Sequence, residues 1–570
     1  MSEAARASAA RHGLGALAAV LATAIALWPL VASAQTTTTT TTSSTTTTSS
    51  TTSTTSTTLA STTTTTMAPT PSTWLGPSGV RSSQIIAENR LAGTDSWRID
   101  GHDIPTSIEG FAGATDATPG QDVNLYVTTS AADFRAVAYR MGWYQGLGAR
   151  EVWSSTLVPG RVQPACSVAS DTNMVSCANW SVSLTVPITS AFVPGDYLIK
   201  LTGGPRTQSY VLLTVSDPDS TAAYVILNRS FVEQGWNLFG GYSFYHGLGP
   251  CILDTMSYPA CNRARVVSFD RPYDTGDGAA DFLTNELPLV QYCEQLGLDV
   301  TYMSDVYLDE HPDLLMHHRA LLTLDHDESW SYNERMAVLN AQAQGLNVAY
   351  FGAAAMVRHV RLEPSPLGPD REEVDYRDGA EDPANGVASP LQVTGNTWDS
   401  PPSDWPPTAQ IGNNYSGYLE PGVTVPMVTT DASSWVFRGT GLKDGSSLAG
   451  VIGSDFDHVT DSSLEPPDLE ILAHSPVPLS SATVSGERWD GLSYSDMVYF
   501  TDPHKGAGVI DTGNNIWIGD LRPCPTDATG CASPTIRKIT SNILWLFGQG
   551  PAGRLEPSVA NTMDVSPPGS

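Results

Sequence analysis

Residues 36–66 are serine or threonine at 29 of 31 positions, interrupted only by Leu59 and Ala60. Such a tract has no apolar periodicity and nothing to bury, so the entropy of ordering it would go uncompensated. Whatever folds must therefore lie beyond it. The segment 35–73 reads as a disordered spacer, whose hydroxyls beside Pro69 and Pro71 suit either an O-glycosylated stalk or a plain linker.

The 34 residues ahead of the tract have the layout of a secretory signal. Arg6 and Arg11 supply the charged start, Leu14 to Val31 is apolar, and Ala32-Ser33-Ala34 is a small-residue cleavage site. An uncleaved N-terminal anchor is the alternative, since the apolar stretch approaches spanning length. No later segment of the mature chain is long and apolar enough to span a bilayer. Cysteine usage agrees with export. Six of the seven cysteines fall into close pairs, Cys166/Cys177, Cys251/Cys261 and Cys524/Cys531, which predict three local disulfides. Cys293 sits in a helical pattern, where a lone cysteine reads as a small buried hydrophobe. A secreted or cell-surface location follows from these signs.

Only 15% of the residues are charged, and the net charge is −30. The acidic excess argues against nucleic acid, because phosphate backbones need Lys and Arg to displace their counterions. It argues equally against docking on anionic lipid. Oligomeric state leaves no signature.

Residues 74–217 have an all-β texture. Val123–Thr128, Trp180–Val186, Tyr197–Leu201 and Tyr210–Val215 are short strand-like runs punctuated by Gly and Pro, which predicts an antiparallel sandwich of the immunoglobulin-like kind. After Pro218 the texture changes. Ala223–Leu227 is a continuous apolar run, as in a strand buried on both faces. A helical pattern over Glu286–Leu296 stops at Gly297, and a short helix near Asp313–His317 follows. Ser331 and Glu334 form a capping box ahead of another helix, and Asn347–Gly352 is a further strand. Repeated strand–helix–strand units predict an α/β domain over 218–550 with a mainly parallel sheet. Long loop insertions with some β structure fill about 360–495, and 551–570 reads as a flexible tail.

Ligands of a parallel sheet bind beyond the carboxyl ends of its strands. Two loops there are unusual: Gln234 to Tyr245, and Asp325-His326-Asp327-Glu328. Between them in sequence lies Val267 to Tyr273. Glu328 is suited to ligate a metal or act as a base, and His326 to shuttle a proton. Three carboxylates beside one imidazole repel one another unless a cation or Arg271 sits among them. An acidic helix N-terminus would explain Asp327 and Glu328 equally well, though not His326. The run Asp270, Asp274, Asp277, Asp281 lacks the pattern of an EF-hand loop. His317-His318 reads as a helix cap. Asn228-Arg229-Ser230 and Asn414-Tyr415-Ser416 fit the N-glycosylation pattern.

At these loops, and in the run Tyr139-Arg140-Met141-Gly142-Trp143-Tyr144-Gln145-Gly146-Leu147-Gly148-Ala149-Arg150, the sequence resembles the N,N-dimethylformamidase large (beta) subunit family. Further matching residues are Asn237, Gly240, Gly241, Ser243 and Tyr245, then Ser268 to Tyr273, His326-Asp327-Glu328, Gly506 to Ile510, and Trp517. The resemblance implies an α/β domain like that of the class I glutamine amidotransferases. It also implies an iron ion held by two tyrosines and a glutamate, hydrolysing small non-peptide amides with metal-activated water. Carried over by position, Glu328 takes the glutamate's place, His326 that of a catalytic histidine, and Tyr273 that of one tyrosine. The second tyrosine's place is held by Trp236, whose indole has no lone pair to offer a metal. Gly235 and Ala354 also depart from the family's usual Ala and Asn. Tyr242 or Tyr245 are alternative sources of the missing phenolate. Two functions stay open: an amide hydrolase acting on a small molecule, and a non-catalytic surface protein that binds a glycan or protein ligand.

Overall fold

The computed structural model describes residues 79–99, 107–248, 262–460, 464–478, 482–483, 492–524 and 531–565. The leader, the Ser/Thr tract and the Cys251/Cys261 pair lie outside these residues. Met67–Ser570 makes one compact unit. The fold is β-rich, with several sheets and few helices.

Two sheets fill the first part. Ile108–Ala112, Asp122–Thr129 and Leu184–Pro187 form a three-stranded antiparallel sheet. Thr207–Val215, Gly195–Gly204, Asp133–Met141 and Ala149–Ser154 are the main strands of a second sheet, with Asp116–Ala117 on its edge. The alternating apolar residues do what their period requires. Leu125 and Val127 from the first sheet, and Phe134, Ala136, Ile199, Leu201 and Leu213 from the second, close on one buried cluster. The Cys166–Cys177 disulfide lies in this part, and Cys524–Cys531 closes a loop near the end of the chain.

A seven-stranded sheet organises the remainder. In spatial order it runs Val300–Ser304, Tyr224–Asn228, Ala320–Asp325, Asn347–Gly352, Gly508–Asp511, Leu492–Thr501 and Glu470–Pro478. The first five strands are parallel, Leu492–Thr501 runs antiparallel to them, and Glu470–Pro478 is antiparallel to Leu492–Thr501 in turn. The unbroken apolar runs have a direct explanation. Tyr224, Ile226, Leu322, Leu324, Ala349 and Phe351 point into one core, shared with helices Leu287–Leu296 and Ser533–Phe547. Val225, Leu227, Leu321, Val348 and Tyr350 point into a second core, shared with helix Tyr332–Gln342. Both faces of the sheet are covered, so alternation would be a fault.

Local signals hold where they were strongest. Ser331 and Glu334 form both halves of the capping box. Helix Leu287–Leu296 ends on Gly297 at φ 70°, the left-handed geometry that glycine adopts without strain. Cys293 is buried in the first of the two sheet cores. The stretch read as loop insertions with some β structure, 360–495, contributes Glu470–Pro478 and the start of Leu492–Thr501 to the main sheet. Its Pro and Gly content hid them, because Glu470–Pro478 is an edge strand, where Pro is tolerated.

The two parts are bolted together by one buried ion pair. Arg140 of the second sheet places Nη2 2.5 Å from Glu294 Oε1 on helix Leu287–Leu296, and neither side chain is exposed. The remaining valences are satisfied. Arg140 donates to the Pro194 carbonyl and to the Tyr144 hydroxyl, while Glu294 accepts from Asn89 and Tyr302. Gly142 belongs to the same arrangement, since a Cβ there would collide with Glu294 Oε2. Removing one partner strands the other charge in the interior. Glu294→Ala is expected to destabilise the protein by about 3–5 kcal/mol, measured by urea unfolding. The paired replacement Arg140→Met with Glu294→Leu is expected to cost much less.

Candidate active site

The site lies at the carboxyl end of the parallel sheet. Strand Tyr224–Asn228 runs into helix Ser230–Trp236, and strand Ala320–Asp325 runs into the His326–Glu328 turn. Asp325 closes its strand at φ 50°, a left-handed geometry unusual for a residue with a side chain. The neighbouring strand stays close because its last residue is Gly352, which pairs with Asp325; a Cβ there would collide with the Asp325 carbonyl. Arg229, buried, anchors the turn from below. Its guanidinium meets Glu233 at 2.9 Å, Asp325 at 3.4 Å and Glu286 at 3.6 Å, and it donates to the His326 carbonyl.

Glu328 is the meeting point. Its Oε1 accepts hydrogen bonds from the Trp236 indole, at 3.0 Å, and from the Tyr245 hydroxyl. Its Oε2 lies 3.3 Å from His326 Nε2 and 3.8 Å from Arg358 Nε. The Tyr245 ring is held between two partners. Trp236 stacks on one side at 3.6 Å, and the Arg377 guanidinium carbon lies 4.2 Å from its centroid. Trp236 is 41% exposed and His326 partly so, which leaves the centre reachable from solvent.

Burial dominates the electrostatics. It raises the Glu328 carboxyl, against the opposing pull of Arg358 and Arg377. Burial also lowers the His326 imidazole, helped by Arg229 and Arg358 and opposed by Asp455. The neutral imidazole is therefore favoured beside the carboxylate. The cation expected among these acids is Arg229 with Arg358. Arg271 is elsewhere: its guanidinium binds Gln234 and the carbonyls of Asn237, Phe239 and Tyr242.

The structure brings His326 and Glu328 together as the sequence suggested, but the phenol beside Glu328 is that of Tyr245. Tyr273, offered as the other iron ligand, has a different company. Burial raises its hydroxyl, and its charged neighbours are Glu233, Glu373, Glu286 and Arg271. No hydrogen bond joins it to Glu328 among the described residues. The donors that surround Glu328 do not fit an iron held by two phenolates and a carboxylate. Trp236 presents an N–H where a lone pair is needed, and two guanidinium groups already oppose the carboxylate's charge.

Arg358 and Arg377 carried no local sequence signal. Arg358 arrives through the parallel pairing of Ser329–Ser331 with Arg358–Ser365, a register that no short-range pattern announces. Arg377 sits at φ 56° just beyond strand Gly368–Val374. Asn228, the first glycosylation candidate, is buried and donates to Glu286, so its amide is closed to modification in the folded chain. Because Gly352 sets the height of the Asp325 turn, Gly352→Ala is expected to cost about 1–3 kcal/mol in thermal or denaturant unfolding. It should also displace His326, seen as a shift of its imidazole resonance.

Residues 135–531, more than two thirds of the chain, match the family described as N,N-dimethylformamidase beta subunit-like, C-terminal. No curated protein matches the chain. Among solved structures, a ThuA-like protein from Bacteroides uniformis is 11% identical, with a TM-score of 0.26 over 46% of this chain and 86% of that one. A likeness of that size carries no argument.

Proposed function

Since the chain belongs to the N,N-dimethylformamidase beta subunit-like family, we propose that it is a hydrolase of small non-peptide amide C–N bonds working at Glu328 and His326. The observation that carries this reading is the convergence of His326 Nε2, the Tyr245 hydroxyl and Arg358 Nε on one buried carboxylate. With the imidazole proton on Nε2 and shared with Glu328, Nδ1 is left as the base. It takes a proton from water as the oxygen attacks the amide carbon, and Glu328 balances the imidazolium. Arg358 Nε, which has no hydrogen-bond partner among the described residues, is the donor for the developing oxyanion. The imidazolium then returns its proton to the departing nitrogen. The same reading places the protein outside the cytoplasm. Two disulfides support this, and no helix among the described residues is long and apolar enough to cross a membrane. It takes the two-sheet part as immunoglobulin-like and the parallel-sheet part as class I glutamine-amidotransferase-like.

Iron bound through Tyr273 and Glu328 is what the family resemblance implies, and the surroundings of Glu328 speak against it. No step above runs through it. The purified protein is expected to contain far less than one iron per chain, by elemental analysis, with no visible phenolate-to-iron absorption. Stoichiometric iron lost on mutating Tyr273 would restore the metal mechanism. Trp236→Tyr, which returns a phenol to the site, is expected to raise iron retention.

Glu328→Gln is expected to lower kcat/KM on small formamides or acetamides by about 100-fold or more while the protein stays folded. Arg358 lowers the proton affinity of both His326 and Glu328. Removing that charge makes both hold their protons to higher pH. The acid limb of kcat/KM should therefore move toward neutrality in Arg358→Gln, and an unmoved or acid-shifted limb would refute this assignment.

A second reading has its own support. Trp236, exposed and stacked on Tyr245, is a flat aromatic face of the kind that sugar rings pack against. A non-catalytic extracellular binding protein for a glycan or protein ligand would keep Glu328→Gln silent and lose its ligand in Trp236→Ala.

A further inference from the structure

A cavity of about 550 Å³ opens where the two-sheet part meets the loops that follow helix Ser230–Trp236. It lies outside the Glu328 constellation and shares none of that constellation's residues. Its walls include Ile108, Glu109, Ser209, Tyr210, Phe239 and Tyr273. That volume suits a small organic ligand, for which pockets of roughly 300–1,000 Å³ are usual.

Three features of the lining are unresolved by the protein itself. Ser209 Oγ is buried, with the residue only 7% exposed, and has no hydrogen-bond partner. The Glu109 carboxylate makes no hydrogen bond or ion pair among the described residues, and burial raises it with no cation to offset it. The Tyr273 hydroxyl likewise has no hydrogen-bond partner among the described residues. A buried hydroxyl and a half-buried carboxylate left unmatched each carry a desolvation cost that a ligand can relieve.

The charge of the lining selects the ligand. Asp274 and Asp277 join Glu109 on the acidic side, and Arg206 is the one basic residue among the walls. The aromatic faces of Phe239, Tyr210 and Tyr273 favour a cation over an anion, and the chain's net charge of −30 favours the approach of a cation. We propose that this cavity is a binding site for a small organic ammonium ion with an apolar body, its nitrogen donating to Glu109 and Ser209 Oγ. The ligand's hydrocarbon lies against Ile108 and Phe239. This site is separate from the Glu328 centre and stands whether or not that centre is catalytic.

The test is isothermal titration of the whole mature protein with 2-phenylethylammonium. The neutral 3-phenylpropan-1-ol and the anionic phenylacetate serve as matched probes. Saturable binding of the ammonium alone is expected. Glu109→Gln should weaken it by about tenfold or more, the loss of one charge-assisted hydrogen bond. Ser209→Ala should weaken it by a few-fold. Both variants alter partly or locally unmatched groups, so their unfolding midpoints should stay at the wild-type value. Glu328→Gln should bind as the wild type does. No saturable binding, equal binding of the alcohol or the carboxylate, or affinity unchanged in both Glu109→Gln and Ser209→Ala would overturn the proposal. Loss of binding in Glu328→Gln would overturn the separateness of the site.

Discussion

The ion pair between Arg140 and Glu294 is the constraint on which the rest of the architecture depends. It is fully buried, and it joins a strand of the two-sheet part to a helix packed against the main sheet. A buried pair of this kind adds little net stability compared with well-packed apolar residues, because both charges give up their hydration. What it supplies is register. Only one placement of the sheet against the helix satisfies Tyr144, Tyr302, Asn89 and the Pro194 carbonyl at once. The long motif from Tyr139 to Arg150 makes sense in this light. Arg140 is the charge, Tyr144 is its hydrogen-bond partner, Gly142 is the space Glu294 needs, and Arg150 ties back to Glu88. That motif is a joint between the two parts.

A second arginine does comparable work at the site. Arg229 gathers three carboxylates and the His326 carbonyl beneath the turn that presents Glu328. Several of these acids are thus divided among separate cations: Asp325, Glu233 and Glu286 on Arg229, Asp270 on Arg371, and Glu328 beside Arg358, while the Asp327 carboxylate oxygens are buried without a hydrogen-bond partner among the described residues. The result is a buried carboxylate, Glu328, whose neighbours Asp325, Glu233 and Glu286 are held by a cation of their own.

Much of this was readable from the chain alone, for physical reasons that differ by element. The Ala223–Leu227 run announced a strand covered on both faces, and Tyr224 and Val225 do enter different cores. Ser331 and Glu334 announced a helix start because capping is a local, reciprocal hydrogen-bond exchange. His326 and Glu328 stood out through their place at a strand's end. Tyr245 was one of two alternatives and became distinct only once the loop's path was known. Arg358 and Arg377 were invisible, since their arrival depends on long-range register and on a single left-handed residue. The edge strand Glu470–Pro478 was masked by composition, because an edge tolerates the Pro that a central strand excludes.

Trp236 carries one more consequence. Among the described residues it is the tryptophan most open to solvent, and it stacks on Tyr245 and donates to Glu328. A collisional quencher dissolved in the buffer will reach this indole ahead of those sealed in the cores. The quencher-accessible part of the emission, isolated by subtracting a Trp236→Phe spectrum, is then a built-in optical gauge of whether anything occupies the mouth above Glu328.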